Sequence, residues 1–225
     1  MTEVKDGRKA YSSPLRDEQA AQTRRAVLAA ARELFVTQGY GATTVDQIAA
    51  EAGVSKPTVF SAVGNKQTLL AAVRDAAVAG QDEPVDRQEP DAPSLIRAEP
   101  DPFRAMELLA AHIAEIGRRC ASIDEVVHAA ASSGDEGPRA LWRSAENDRL
   151  RAARRSVAEL VAKAPLRDGL DPQAATDELW LLMAPELYHR LVHVRRWSNK
   201  RFEAWLTERL TRLLPPRLLR PATRR

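Results

Sequence analysis

The chain has 225 residues, of which 44% are hydrophobic, 29% charged and 5% aromatic. This composition fits a globular protein of one large or two smaller domains, and it favours helices over sheets. The single cysteine, Cys120, excludes an internal disulfide and a multi-cysteine zinc site. We find no apolar run long enough for a membrane helix and no export signal, so we expect a cytoplasmic protein.

The net charge of +3 does not by itself reveal a DNA-binding face, because the basic residues are concentrated near the end of the chain. Residues 1–18 are polar and lack an apolar stripe, which predicts a mobile tail. Residues 19–80 predict four helices, and the first stops at Gly39. Its apolar face comprises Val27, Leu28, Ala31, Leu34 and Phe35.

The second and third predicted helices are short and well specified. Thr44 and Gln47 form a capping box that starts the second helix. Gly53 supplies a tight turn, and Ser55 caps a third helix that ends at Ala62. Asn65 then caps a fourth helix. This order predicts two short helices joined by a tight turn.

The remainder of the chain also predicts helices, with no strand period. Residues 81–102 contain five prolines and seven acidic residues, so we expect a linker, interrupted by a short helical turn around residues 94–98. Residues 103–214 predict a second, all-helical domain, with a bend near Met183 caused by Pro185. Residues 215–225 predict a basic tail. The predicted helices span 103–119, 122–132, 138–163, 172–194 and 199–214.

The turn Ala52-Gly53-Val54-Ser55 between two short helices fits the helix-turn-helix pattern, whose second helix enters the major groove. The surrounding stretch, residues 23–73, resembles the tetracycline-repressor (TetR) family of bacterial transcriptional regulators. The resemblance is carried by Ala29-Ala30-Ala31-Arg32-Glu33-Leu34-Phe35, Gly39-Tyr40, Thr43-Thr44-Val45, Ile48-Ala49, Pro57-Thr58-Val59-Phe60 and Asn65-Lys66.

The resemblance implies an all-α homodimer. Three helices would form a DNA-binding head, and a fourth would connect it to a helical bundle that binds an effector and dimerises. The segments Ala184-Pro185-Glu186-Leu187-Tyr188 and Trp197-Ser198 resemble an actinobacterial-type branch of the family. We therefore expect a ligand-responsive repressor that binds a palindromic operator, is released by a small apolar molecule, and has no enzymatic activity, cofactor or metal.

The resemblance also implies which residues contact DNA. Lys56, Pro57, Thr58 and Ser61 would face base edges, while Tyr40, Thr43, Thr44 and Lys66 would contact phosphates. Phe60 replaces the family's usual tyrosine and lacks its hydroxyl, and Ala62-Val63 replaces an aromatic pair. The expected DNA-binding set is Tyr40, Thr43, Thr44, Ser55, Lys56, Pro57, Thr58, Phe60, Ser61 and Lys66.

Candidate residues in the second domain are fewer. An effector pocket between the helices of residues 103–182 would be lined by His112, Trp142, Trp180 and Tyr188. The apolar residues of the last two long helices exceed what one edge of a bundle must bury, which predicts a symmetric dimer. Its interface residues would be Leu187, Leu191, Trp205, Leu206 and Leu210.

Several alternatives remain open at this stage. The helix-turn-helix pattern also fits a generic helical corner, so the chain could be a helical adaptor that binds only protein. Glu186, His189 and His193 share a spacing that could ligate a metal. Cys120 follows two arginines and could be a redox-sensitive thiol. A small helical enzyme is the least supported alternative, because no phosphate loop or nucleophile motif is present.

Overall fold

The computed structural model describes residues 14–80 and 91–216, and this part of the chain contains helices and no strand. A π-helix, His189–Val194, lies between the last two α-helices. The α-helices are, in chain order, α1 (Pro14–Gln38), α2 (Val45–Glu51), α3 (Lys56–Ala62), α4 (Lys66–Ala79), α5 (Ala92–Ala98), α6 (Pro102–Ser132), α7 (Glu136–Val161), α8 (Pro172–Leu182), α9 (Pro185–Tyr188) and α10 (Asn199–Thr211). The predicted all-α fold class is confirmed.

The first four helices form a compact head. The predicted capping box is present, since the Thr44 side chain accepts from the Gln47 amide and the Gln47 side chain accepts from the Thr44 amide. Ser55 and Asn65 cap α3 and α4 as predicted. Gly53 has φ +67°, the left-handed conformation that a tight turn needs. These caps and the glycine turn determine where α2 ends and α3 begins.

The first helix differs from its predicted start. It begins at Pro14, so residues 14–18 are helical and the predicted tail of residues 1–18 is wrong for these five. Residues 1–13 lie outside the described residues. At its other end α1 stops at Gln38, before Gly39 with φ +82°, as predicted.

The longest helix, α6, joins the head to the rest of the molecule, which we call the body. We predicted separate helices over 103–119 and 122–132, but α6 is continuous because no glycine or proline interrupts residues 118–123. Met106, Leu109 and Ile113 lie in the core of the body. Cys120, Ile123 and Val127 lie in the core of the head. One rigid helix therefore contributes to both cores.

The predicted linker is shorter than expected. Residues 81–90 lie outside the described residues, whereas residues 92–98 form α5 around the predicted turn. Ile96 of α5 is buried in the body core, and its carbonyl accepts a 2.7 Å hydrogen bond from Lys163 Nζ. Residues 92–102 therefore belong to the body and not to a linker. Beyond Pro216 the predicted basic tail also lies outside the described residues.

The chain bends at Pro185 as predicted. α8 ends at Leu182 and α9 begins at Pro185, which has no amide hydrogen to continue the helix. The π-helix that follows was not predicted, and it changes the register of residues 189–194, because π-helical hydrogen bonds join residues five apart. α10 then returns along α6, with Phe202, Leu206 and Leu210 buried in the body core.

Candidate nucleic-acid interface

The exposed side of α3 carries four residues that follow one another around the helix: Lys56, Phe60, Pro57 and Ser61. Val59 on the opposite side is fully buried and anchors α3 in the head core. A side chain from α1 also holds α3, because Arg24 Nη1 donates a 2.7 Å hydrogen bond to the Ala62 carbonyl. This contact was not predicted, since 38 residues separate the two positions.

The hydroxyls at the start of α3 are engaged within the protein. Ser55 Oγ accepts from the Thr58 amide at 3.3 Å and lies 2.7 Å from Thr58 Oγ1. Thr58 is half-buried. Both side chains therefore define the start of the helix, and the exposed residues named above form the surface that can meet DNA.

Lys56 is not a free cation. Its Nζ lies 2.9 Å from Asp46 Oδ2 in α2, and the two side chains are 49% and 68% exposed. The ion pair spans the turn of the helix-turn-helix unit. Residues 44–63 contain no basic side chain besides Lys56 but two acidic ones, Asp46 and Glu51, so the unit itself carries a net negative charge.

Phe60 is 47% exposed, which is unusual for a large aromatic side chain. It lies between Lys56 and Pro57 around the helix, on the exposed side. Without a hydroxyl it cannot hydrogen-bond a phosphate, but its ring can contact the methyl group of thymine.

Two of the predicted phosphate contacts are wrong. The Thr43 side chain is completely buried, and its hydroxyl donates to the Gly39 and Leu34 carbonyls at 2.8 and 3.2 Å. Tyr40 is only 8% exposed, packs against Phe35 and faces the body. Burial, together with the nearby Asp135 carboxylate, raises the pKa of the Tyr40 hydroxyl. Both residues stabilise the turn after α1.

Lys66 closes the same turn. Its Nζ donates to the Thr43 carbonyl at 2.9 Å and to the Gly41 carbonyl at 3.4 Å, and it lies 4.3 Å from the centre of the Tyr40 ring. A cleft of about 560 Å³ between head and body is lined by Lys66, Glu125 and Asp135 among others. The Lys66 ammonium is therefore engaged by the carbonyls and the ring of this turn, and its phosphate contact stays a prediction. Thr44 is exposed, and its phosphate contact stays a prediction.

The predicted effector residues do not meet in one cavity. Tyr188 lines a cavity of about 40 Å³ together with Ile113, Gly117 and Phe202. Trp142 lies near His128 at the other end of α6, with ring centroids 6.2 Å apart. Trp180 contacts Arg149 of α7, and burial lowers the pKa of His112 near α5. The four residues therefore share no cavity in this structure, and their role in effector binding stays a prediction.

Two of the predicted interface residues are also wrong. Leu206 and Leu210 are fully buried within the body core, so they cannot contact a second copy. Leu187, Leu191 and Trp205 are half-buried and remain candidates. Two large apolar residues that we did not predict are strongly exposed, Leu181 of α8 at 58% and Val194 of the π-helix at 63%.

The remaining candidate sites have structural explanations. Cys120 is fully buried, and burial raises the pKa of its thiol to about 12, which contradicts a redox-sensitive thiol. His189 and His193 stack edge to face with centroids 5.4 Å apart. Across residues 14–80 and 91–216, no three His, Cys, Asp or Glu side chains form a metal-binding group. No helix of this part is long and apolar enough to span a membrane.

An all-helical protein whose head presents an exposed recognition helix belongs, as a class, to the helix-turn-helix DNA-binding proteins. Residues 27–73 match the family model of the bacterial regulatory proteins of the tetR family. The matched stretch contains α2, the turn and α3, so this part of the chain resembles the DNA-binding domain of TetR-family regulators. No curated protein sequence matches the chain.

Solved structures share the fold at low sequence identity. NalD, the secondary repressor of the MexAB-OprM multidrug efflux pump in Pseudomonas aeruginosa, is 21% identical, with a TM-score of 0.62 over 87% of this chain and 98% of that one. FadR from Bacillus subtilis, in complex with stearoyl-CoA, is 15% identical, with a TM-score of 0.63 over 82% of this chain and 96% of that one. AibR, in complex with isovaleryl coenzyme A and operator DNA, is 17% identical, with a TM-score of 0.59 over 85% of this chain and 100% of that one.

Proposed function

We propose that this protein is a cytoplasmic homodimeric repressor that binds a palindromic operator and is released by a small, mostly apolar ligand. The observation that carries this proposal is the exposed surface of α3, formed by Lys56, Pro57, Phe60 and Ser61, on a TetR-type head. An α-helix fits the major groove, and a lysine there can donate to guanine O6 and N7. The AibR complex with operator DNA supports the same role for this fold.

The proposed dimer uses α8, the π-helix and α10. Leu181 of α8 and Val194 of the π-helix are strongly exposed, and Leu187, Leu191 and Trp205 are half-buried. A second copy that covers these exposed apolar side chains would remove them from water, which favours association. A symmetric pair would place two α3 helices on one face, so the operator would contain two inverted half-sites.

The proposed ligand binds in the body. FadR and AibR were solved with acyl-coenzyme A molecules, whose acyl chains are apolar. The body cavity beside Tyr188 is about 40 Å³, whereas small-molecule sites span about 300–1,000 Å³. Ligand binding must therefore displace side chains such as Tyr188 and Met183. Because α6 contributes to both cores, a shift of this helix would also move the head.

The proposed function is tested by selecting binding sites for the full-length protein from a pool of random DNA duplexes. We expect the enriched sites to contain an inverted repeat, and we expect sedimentation to give the mass of a dimer. A variant with Phe60→Ala and Ser61→Ala serves as the control and should enrich no such repeat. A pool that stays random with the wild-type protein would refute operator binding.

A further inference from the structure

The charge of the helix-turn-helix unit opposes its function. DNA attracts proteins through lysine and arginine contacts with phosphates, yet Asp46 and Glu51 outweigh Lys56 within residues 44–63. Moreover, Asp46 neutralises Lys56, the single cation of this unit, through the 2.9 Å contact. The carboxylate of Asp46 therefore weakens the attraction between the recognition surface and DNA phosphates.

Stability does not explain the pair. Both side chains are about half exposed or more, and exposed ion pairs contribute about 0–1 kcal/mol to folding. Each partner lies in the first turn of its own helix, Asp46 in α2 and Lys56 in α3. The positive end of a helix dipole favours Asp46 there but disfavours Lys56. The carboxylate therefore offsets an unfavourable position and restrains a flexible side chain.

We propose that Asp46 is a positioning residue that makes DNA reading by Lys56 selective, an inference that rests on the proposed DNA-binding function. A lysine ammonium has three donors, so Lys56 can keep its bond to Asp46 and still donate to guanine O6 and N7. A phosphate in the same place would be repelled by the Asp46 carboxylate. The ion pair therefore favours binding of Lys56 to a guanine edge over binding to the sugar-phosphate backbone.

Without the carboxylate, Lys56 would become a free cation. It could then pair with phosphates of any sequence, and each such contact adds about 0.9 to the slope of log affinity against log salt. Asp46 would thus reduce binding to random DNA while preserving binding to the operator. Specificity is the difference between these two affinities, and repulsive elements can increase it.

The test compares Asp46→Asn with Glu51→Gln in the full-length protein. Both changes remove one negative charge from α2, but in the described part of the chain only Asp46 contacts Lys56. Affinities are measured at several salt concentrations for the selected operator, for operators with single base-pair changes and for a random duplex. Thermal unfolding of both variants checks that they retain the fold.

For Asp46→Asn we expect tighter binding to the random duplex and a salt slope steeper by about 1–2 for a dimer. The preference for guanine at one position of each half-site should fall by about fivefold or more. Glu51→Gln should change operator and random binding alike and leave this preference intact. In a Lys56→Met background, Asp46→Asn should no longer affect the preference.

Equal effects of the two variants on the guanine preference would overturn the inference and leave operator binding intact. Persistence of the Asp46→Asn effect in the Lys56→Met background would overturn it as well, because Asp46 would then act without Lys56. A wild-type protein that binds operator and random duplex equally would refute the proposed function itself, and the inference with it.

Discussion

Arg74 of α4 and Asp124 of α6 form an ion pair between the head and the helix that runs into the body, with Arg74 Nε 2.7 Å from Asp124 Oδ1. Their side chains are only 14% and 13% exposed. Nearby, Arg119 of α6 donates to the Ala77 and Val78 carbonyls at the end of α4, at 2.9 and 3.1 Å. These contacts fix the position of α4 against α6, so a ligand that moves α6 has a direct route to the head.

We predict that Arg74→Met lowers the free energy of unfolding by about 2–4 kcal/mol, because it leaves a buried carboxylate without its partner. The matched control is Arg104→Met, which breaks the exposed pair with Glu107 and should cost less than about 1 kcal/mol. Urea unfolding of both variants checks the prediction. Similar losses would show that the Arg74 pair is no more important than a surface pair.

The local features of the head could be predicted from the sequence, because each cap depends on residues within three positions. Thr44 with Gln47, Ser55 and Asn65 all start helices as expected. The pairing of Lys56 with Asp46 was missed, because it depends on how α2 and α3 cross. Thr43 and Tyr40 were assigned to DNA for a related reason, since a family pattern does not show which side of a turn is buried.

The apolar pattern of the body showed which helix faces are buried. It did not show whether each face is buried against another helix of the same chain or against a second copy. Leu206 and Leu210 fit a dimer interface as well as an internal core, and only the return of α10 along α6 assigns them to the core. The unbroken α6 was missed because Ser122 was interpreted as a helix break, whereas a single serine inside a helix costs too little to end it. The π-helix has no sequence signal as specific as a proline or glycine, and within it His189 and His193 stack against each other with ring centroids 5.4 Å apart.

We predict that Lys66→Met lowers the free energy of unfolding by about 1–2 kcal/mol, because it removes two hydrogen bonds to carbonyls and the contact with the Tyr40 ring. The salt slope of operator binding should change by less than about 0.5, because the ammonium already donates to the Gly41 and Thr43 carbonyls and we expect it to stay bound to them in the complex. Chemical unfolding and affinity at four salt concentrations provide the two readouts. A salt slope reduced in magnitude by about 2 would contradict this prediction and support the phosphate contact that the family resemblance implies.

We predict that Leu181→Glu converts the dimer to a folded monomer and weakens operator binding, because a charge would face the partner subunit. Leu95→Glu on α5 is the matched control, since Leu95 is 45% exposed and lies outside the proposed interface. Sedimentation should give half the mass for the first variant alone, with unchanged helix content in both. A Leu181→Glu protein that stays dimeric would place the interface elsewhere.

We predict that the Cys120 thiol is inert in the folded protein. Burial raises its pKa to about 12, so the reactive thiolate is scarce at pH 8, and the side chain lies out of reach of solvent. Iodoacetamide should label no cysteine in the native protein and one per chain in urea. Rapid stoichiometric labelling under native conditions would contradict this burial and reopen a redox role.

We predict that acid weakens the fold through His112. Burial, aided by the positive charge of Arg119, lowers the pKa of His112 below its usual 6.5. As the pH falls through about 6.5, the unfolded chain takes up a proton that the folded chain does not, so the free energy of unfolding decreases. Above that pH the stabilising contribution of neutral His112 is fully present.

Urea unfolding between pH 7.5 and pH 5 should therefore show a shallower decline in the free energy of unfolding for His112→Gln than for the wild type. His193, whose pKa burial also lowers, leaves a residual slope in the variant. Parallel curves for the two proteins would show that His112 does not couple stability to pH.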